Sequence, residues 1–233
     1  MSTIAGNLQA VEATIQAACD AAGRSRSGVQ LLAVSKTFPH EAVLEAAAAG
    51  QRAFGENYVQ EGVDKIALVA RARPELSLEW HFIGPIQSNK TRPIATSFDW
   101  VHTVERLKIA QRLSEPRPPE RGPLNICLQV NISGEASKSG AHPDEVPALA
   151  RAVAALPNLR LRGLMAIPAP ATNVAAQRAP FAQLRALAQQ ITKGGIPLDT
   201  LSMGMSADLE AAVLEGATIV RVGSSIFGAR HYE

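Results

Sequence analysis

The feature that most constrains this chain is an alternation. Short apolar, β-prone runs recur eight times: LLAVSK (31–36), RAFGEN (52–57), EWHFIG (79–84), DWVHTV (99–104), ICLQVN (126–131), LRLRGLMAI (159–167), TLSMG (200–204) and TIVRVG (218–223). Each of the first seven is followed by a helix-like segment or a connection long enough for one. Strands separated by helices pair in parallel through right-handed crossovers. Eight such units predict an α/β fold, a single (β/α)8 TIM-type barrel. The 233 residues come close to the ~250 typical of that fold. A doubly wound open sheet is the alternative. It usually shows a glycine-rich turn after the first strand, and LLAVSKTFP has no GxGxxG.

The remaining segments fit around that frame. Ile4, Leu8, Val11, Ile15 and Cys19 recur at spacings of three and four, which predicts an extra N-terminal helix stopped by Gly23. Phe181, Leu184, Leu187 and Ile191 form the stripe of a long helix before the seventh strand. Pro93 keeps QSNKTRPIATS short or irregular, and EPRPPERGP (115–123) reads as a surface loop because the alternation continues on both sides. Residues 1–233 are therefore expected to form one domain.

Composition narrows the function classes. Hydrophobic residues are 46% and charged residues 19%, enough for a full core. Lys plus Arg is 23 against 21 Asp plus Glu, a net charge of only +2, so the basic footprint of nucleic-acid binding is missing. Aromatics at 4% are too sparse for base-stacking platforms. Cys19 and Cys127 match no metal spacing and read as small buried hydrophobes, which suits a reducing compartment. The N-terminal stretch lacks a basic n-region, and no apolar run approaches the ~18 residues of a membrane span. A cytoplasmic, membrane-free protein is expected. With no interface motif in view, a monomer is expected too.

In a barrel, functional groups gather at the C-terminal strand ends. Those ends carry Ser35-Lys36, Glu56-Asn57, His81, Asn131, Met165, Met203-Gly204-Met205-Ser206, and Arg221 with Gly223-Ser224-Ser225. Lys36 ends an apolar run, so its stem enters the barrel mouth. A partly desolvated lysine has a lowered pKa and can form a Schiff base; the other reading is a lysine that snorkels to solvent at the strand end. The loops after strands seven and eight are where barrels often hold phosphate. Ser206 is expected to open a helix, and Gly223 lets backbone approach a ligand beside Ser224. A Schiff-base lysine plus a phosphate site fits a lysine-dependent aldolase or pyridoxal 5′-phosphate. Arg221 shares a strand face with Gly223, from which it could meet the ring nitrogen of the latter.

The stretches LLAVSKTFP, FGENYVQE, WHFIGPIQSNK, VNISGEASKSG, LRGLMAIP and LSMGMSADLEAAVLEGATIVRVGSSIFGAR together resemble the pyridoxal phosphate homeostasis family. Its barrel is similar to the N-terminal domain of alanine racemase. The resemblance spans residues 31–230 in order. It implies that Lys36 holds the cofactor as an internal aldimine and that Ser206, Gly223 and Ser224 bind its phosphate. Arg221 would face the pyridine nitrogen, Asn57 would touch the cofactor, and His81 and Met203 would lie near it. The implied role is a non-catalytic carrier and buffer of pyridoxal 5′-phosphate that serves amino-acid balance and pyridoxal-phosphate-dependent apoenzymes. The alternative is an amino-acid racemase of the alanine racemase type. It would need a second acid/base group, for which only Tyr58 and Tyr232 are present, and its strand-one pattern KANAYGHG is replaced by SKTFPH. Lys90 and Lys138 are read as surface lysines able to draw anions to the mouth, with Glu135 a weak partner for Lys138. His40, His102, His142 and His231 read as surface or satisfied histidines.

Overall fold

The computed structural model describes residues 3–229; His231 and Tyr232 lie outside them. Among these residues eight parallel strands close into a barrel in sequence order. They are β1 (Gln30–Val34), β2 (Ala53–Glu56), β3 (Glu79–Phe82), β4 (Trp100–Val104), β5 (Leu124–Gln129), β6 (Leu159–Met165), β7 (Thr200–Ser202) and β8 (Ile219–Val222). Closure comes from β1 pairing with β8, Leu32 against Arg221 and Ala33 against Val222.

Helices cover the outside. They are α1 (Ile4–Ala21), α2 (His40–Ala48), α3 (Val59–Ala72), α4 (Thr91–Ser97), α5 (Leu107–Ser114), α6 (Val146–Ala154), α7 (Val174–Lys193), α8 (Leu209–Leu214) and α9 (Ser224–Phe227). Alternation along each strand sorts the side chains. Leu31, Ala33, Phe54, Phe82, Val101, Ile126, Leu164 and Val220 face the helical shell. Leu32, Ala53, Trp100, Cys127, Met165 and Ile219 form a separate cluster in the lumen. Cys19 and Cys127 are buried free thiols, and burial pushes the Cys127 thiol up to about 12.

Three local features depart from the sequence reading or refine it. The helix after β7 starts at Leu209, not Ser206, because Asp208 caps the preceding turn by accepting from the Met205 amide at 2.7 Å. The 115–123 loop is not purely surface: Arg117 is buried, and its guanidinium donates to the carbonyls of Ala95 and Phe98 at the end of α4. Those carbonyls lack intrahelical partners, so the cation satisfies them. Lastly, the extra helix α1 braces the end of the barrel. Asn7 Nδ2 donates to the Ile226 carbonyl of α9 at 2.8 Å, and Arg24 donates to the Val213 carbonyl of α8 at 2.9 Å.

Candidate functional site

A cavity of about 320 Å³ opens where the strands end. Its polar wall is Lys36, Asn57, Ser206, Arg221, Gly223 and Ser224, and its apolar wall is Val34, Ile83, Ile167 and Met205. The first six are sequence-predicted site residues drawn from four strands. The other two, His81 and Met203, lie off the wall, for reasons of strand geometry. His81 has the right parity, but Ile83 is the residue at the rim. His81 therefore points into the lumen one step, about 7 Å, lower. Met203 has the wrong parity: it faces outward and is buried among the helices, while Met205 reaches the wall.

The β1–β2 side of the site is built from buried charge. Glu56 and Lys65 are both buried, and Lys65 Nζ lies 2.7 Å from Glu56 Oε1 and 2.9 Å from Glu61 Oε1. This cluster grips both flanks of Lys36. Ser35 Oγ donates to Glu56 Oε1 at 2.6 Å, Lys65 Nζ donates to the Ser35 carbonyl at 2.8 Å, and the Thr37 amide donates to Glu61 Oε1 at 2.6 Å. Thr37 adopts φ 67°, a left-handed conformation that is unfavourable for a β-branched residue. That turn carries the chain away and leaves Lys36 at the rim. Desolvation raises the Glu56 carboxyl above its ordinary range against the pull of Lys65. Gly84 completes this side, since a Cβ there would sit 2.0 Å from the Asn57 carbonyl. Only glycine lets the β3 end approach Asn57 so closely.

The β7–β8 side is built from small residues. Gly223 caps α9, whose first amides have no intrahelical acceptor. A Cβ on Gly223 would lie 3.2 Å from the Val34 carbonyl. Ser206 and Ser224 are exposed, and Ser225 Oγ donates to Ser206 Oγ at 3.2 Å. Arg221 stands between the two sides and is buried, with burial pushing its guanidinium down to about 10. It donates to Ser202 Oγ at 2.7 Å and to the Ala166 carbonyl at 3.1 Å.

This donor set fits a phosphorylated aromatic aldehyde. A lysine stands at one wall, orphan helix amides and hydroxyls suit an anion, and Asn57 Oδ1 is a buried acceptor with no partner among the described residues. Among the described residues no cluster of three or more His, Cys, Asp or Glu could hold a metal ion.

The remaining candidates do not reach the wall. Tyr58 is 52% exposed. Lys90 ends a surface 3-10 turn. Lys138 lies 3.7 Å from Glu135. His40 pairs with Glu41, and His142 accepts from the Asp144 amide. His102 is buried and satisfied, bonded to His81 and Ser202. A larger groove of about 570 Å³ lies between α7 and the starts of β7 and β8, away from these strand ends. Among the described residues no helix is long and apolar enough to cross a membrane.

The fold and pocket define a barrel of the alanine racemase type, and the family described as alanine racemase, N-terminal domain, matches residues 6–231. At 18% identity the alanine racemase of Corynebacterium glutamicum shares the fold, with a TM-score of 0.67 over 96% of this chain and 61% of its own. The nearer likeness is to smaller proteins. A Pseudomonas aeruginosa relative named pyridoxal phosphate homeostasis protein is 64% identical over 232 residues, 100% of this chain and 98% of its own. PipY of Synechococcus elongatus, solved with PLP bound, is 37% identical with a TM-score of 0.83, over 97% of this chain and 100% of its own. The chain belongs to the pyridoxal phosphate homeostasis protein family.

Proposed function

We propose that this chain binds pyridoxal 5′-phosphate in the strand-end cavity and carries and buffers it, without turnover of its own. The observation that supports this best is that Lys36, Asn57 and Arg221 line the same strand-end cavity as Ser206, Gly223 and Ser224. The bound cofactor supplies an aldehyde carbon that is electrophilic towards amines. Lys36 supplies the amine that holds it. Ser206, Ser224 and the Gly223 turn bind the phosphate. Arg221 donates to the ring nitrogen and, because a guanidinium only donates, keeps that nitrogen unprotonated. The ring is then a weaker electron sink than one paired with a carboxylate, which suits storage better than catalysis. The relatives are named for homeostasis of the cofactor and not for a reaction, and Tyr58 does not line the cavity. In this reading the protein works as a cytoplasmic monomer, a single barrel that releases cofactor to apoenzymes.

Purified protein incubated with pyridoxal 5′-phosphate should turn yellow, and borohydride should fix the cofactor mass on the peptide holding Lys36. Lys36→Ala should lose both signals. A wild-type protein that stays colourless, or a label on another lysine, would refute the assignment.

A further inference from the structure

Below the cavity a continuous polar column runs down the barrel lumen. Arg221 donates to Ser202 Oγ at 2.7 Å. Ser202 Oγ lies 2.7 Å from His102 Nδ1, and His102 Nε2 lies 2.8 Å from His81 Nδ1. His81 Nε2 lies 2.8 Å from Glu79 Oε1, which also accepts from Gln30 Nε2 at 3.0 Å. The first four residues are buried. Glu79 opens β3 at the opposite end of the barrel, with its side chain 40% exposed. His81 stacks on Trp100 at 5.2 Å between centroids, and the Arg162 guanidinium lies over the Trp100 ring at 4.6 Å from its centroid.

The ends of this column fix every proton in it. Burial keeps both histidines neutral, and the bond from His81 holds the Glu79 carboxyl down at about 2. An ionised carboxylate only accepts, so His81 carries its proton on Nε2 and accepts at Nδ1. His102 must then carry its proton on Nε2 and accept at Nδ1. Ser202 donates its hydroxyl proton there, and its lone pairs receive Arg221, which only donates. One arrangement satisfies both ends, with each donor pointing from Arg221 towards Glu79. Arg221 itself donates to neutral oxygens at Ser202 and Ala166, and the carboxylate that answers its charge is Asp208, so the column reaches Arg221 through hydrogen bonds and not through a charge pair. Such chains polarise their members cooperatively.

We propose that Ser202, His102, His81 and Glu79 form a positioning relay that aims Arg221 at the cavity, so that the hold on a ring acceptor is set from the opposite end of the barrel. The proposal rests on the reading of Arg221 as the donor to the cofactor ring nitrogen. His81 thus belongs to the site as a positioning residue and not as part of its wall. The same holds for Glu79, which the sequence marks only as a charged residue at the start of a strand.

Two readouts test it. Two-bond proton–nitrogen spectra of the cofactor-free protein should show His81 and His102 as neutral Nε2–H tautomers. Glu79→Ala should shift both towards Nδ1–H, whereas Glu79→Gln, which keeps an acceptor oxygen, should restore them. Release of pyridoxal 5′-phosphate from loaded protein should be about tenfold faster in Glu79→Ala, the scale of losing one partner from a buried polar group. It should be near wild type in Glu79→Gln. Ser202→Ala breaks the column in the middle and should speed release similarly while leaving the His81–Glu79 bond. Wild-type histidines found as Nδ1–H, or Glu79→Ala releasing cofactor at the wild-type rate, overturn the relay. If wild-type protein takes up no cofactor, the carrier reading falls instead, and the tautomer spectra still decide whether the column is ordered.

Discussion

The two sides of the cavity are built on opposite principles. On the β1–β2 side, Lys36 is held between a buried ion-pair cluster and a left-handed Thr37. On the β7–β8 side, glycine, serine and backbone amides do the work, and Ser206 and Ser224 are exposed. A covalent partner must be in place before its ligand arrives, because a lysine stem has many rotamers to lose. A phosphate brings its own charge and organises the donors that meet it. The protein therefore invests buried charge where the ligand is reactive and leaves exposed hydroxyls and amides where the ligand is charged.

The largest expected effect breaks the rigid side. Lys65→Met removes the cation that neutralises Glu56 and leaves a buried carboxylate unpaired, which costs ~3–5 kcal/mol. Urea unfolding of the variant should show that loss. The double variant Lys65→Met/Glu56→Gln should recover a large part of it, because the stranded charge is gone. A single variant as stable as wild type would mean the cluster is not the anchor of Lys36.

On the β7–β8 side the pattern inverts. Ser224→Ala should leave unfolding stability within ~0.5 kcal/mol, as expected of an exposed hydroxyl. It should weaken the cofactor about tenfold, as expected for one hydrogen bond to a charged group. Fluorescence titration with pyridoxal 5′-phosphate, run beside urea unfolding, separates the two. A stability loss without an affinity loss would make Ser224 a structural residue.

The same contrast explains what could be read from the sequence. The barrel was legible because eight β-prone runs alternate with helical stripes, and the wall residues Lys36, Asn57, Arg221 and Gly223 because strand ends and period-two parity locate them. The resemblance puts His81 and Met203 near the cofactor, but neither a resemblance nor parity gives the depth of a side chain along a strand or the turn after it, and in the structure neither residue lines the cavity. The ion-pair clamp around Lys65 is hard to see because Glu56 and Lys65 sit on different elements and the Ser35 and Thr37 backbone they grip lies 30 and 24 residues from its partners. Its one local sign is Lys65 standing between Gly62 and Val69 on the buried stripe of α3, where a cation demands a partner. The column escaped for the same reason: Glu79, His81, His102 and Ser202 meet only when the barrel closes.

A smaller test concerns Thr37. Thr37→Gly removes the penalty of φ 67°, a gain of ~1–2 kcal/mol, against ~0.5–1 kcal/mol of added unfolded-chain entropy. The net should be a stabilisation of about 1 kcal/mol or less in urea unfolding. If the strained turn aims Lys36, the rate at which cofactor couples to Lys36 should fall even as stability rises. Stability and coupling rate rising together would show that the strain has no part in aiming it.

The smallest effect is one of sign. Glu56 has a raised folded carboxyl, so the fold binds its proton more tightly than the unfolded chain. Its contribution is present below the ordinary value of 4.5 and is lost as pH climbs from there through the folded value. Glu79 is the reverse, depressed to about 2. Its contribution is present above 4.5 and is lost as pH falls towards 2. Glu79 is partly exposed, so solvent screening keeps its share to about 1 kcal/mol or less. Stability measured at pH 3, 5 and 7 should therefore give divergent differences. The deficit of Glu79→Gln relative to wild type should shrink towards pH 3. Relative to wild type, Glu56→Gln should fare better at pH 7 than at pH 3. Two differences that move in the same direction with pH would mean that the clamp and the column share one electrostatic environment, and the contrast between the two sides would not extend to their carboxylates.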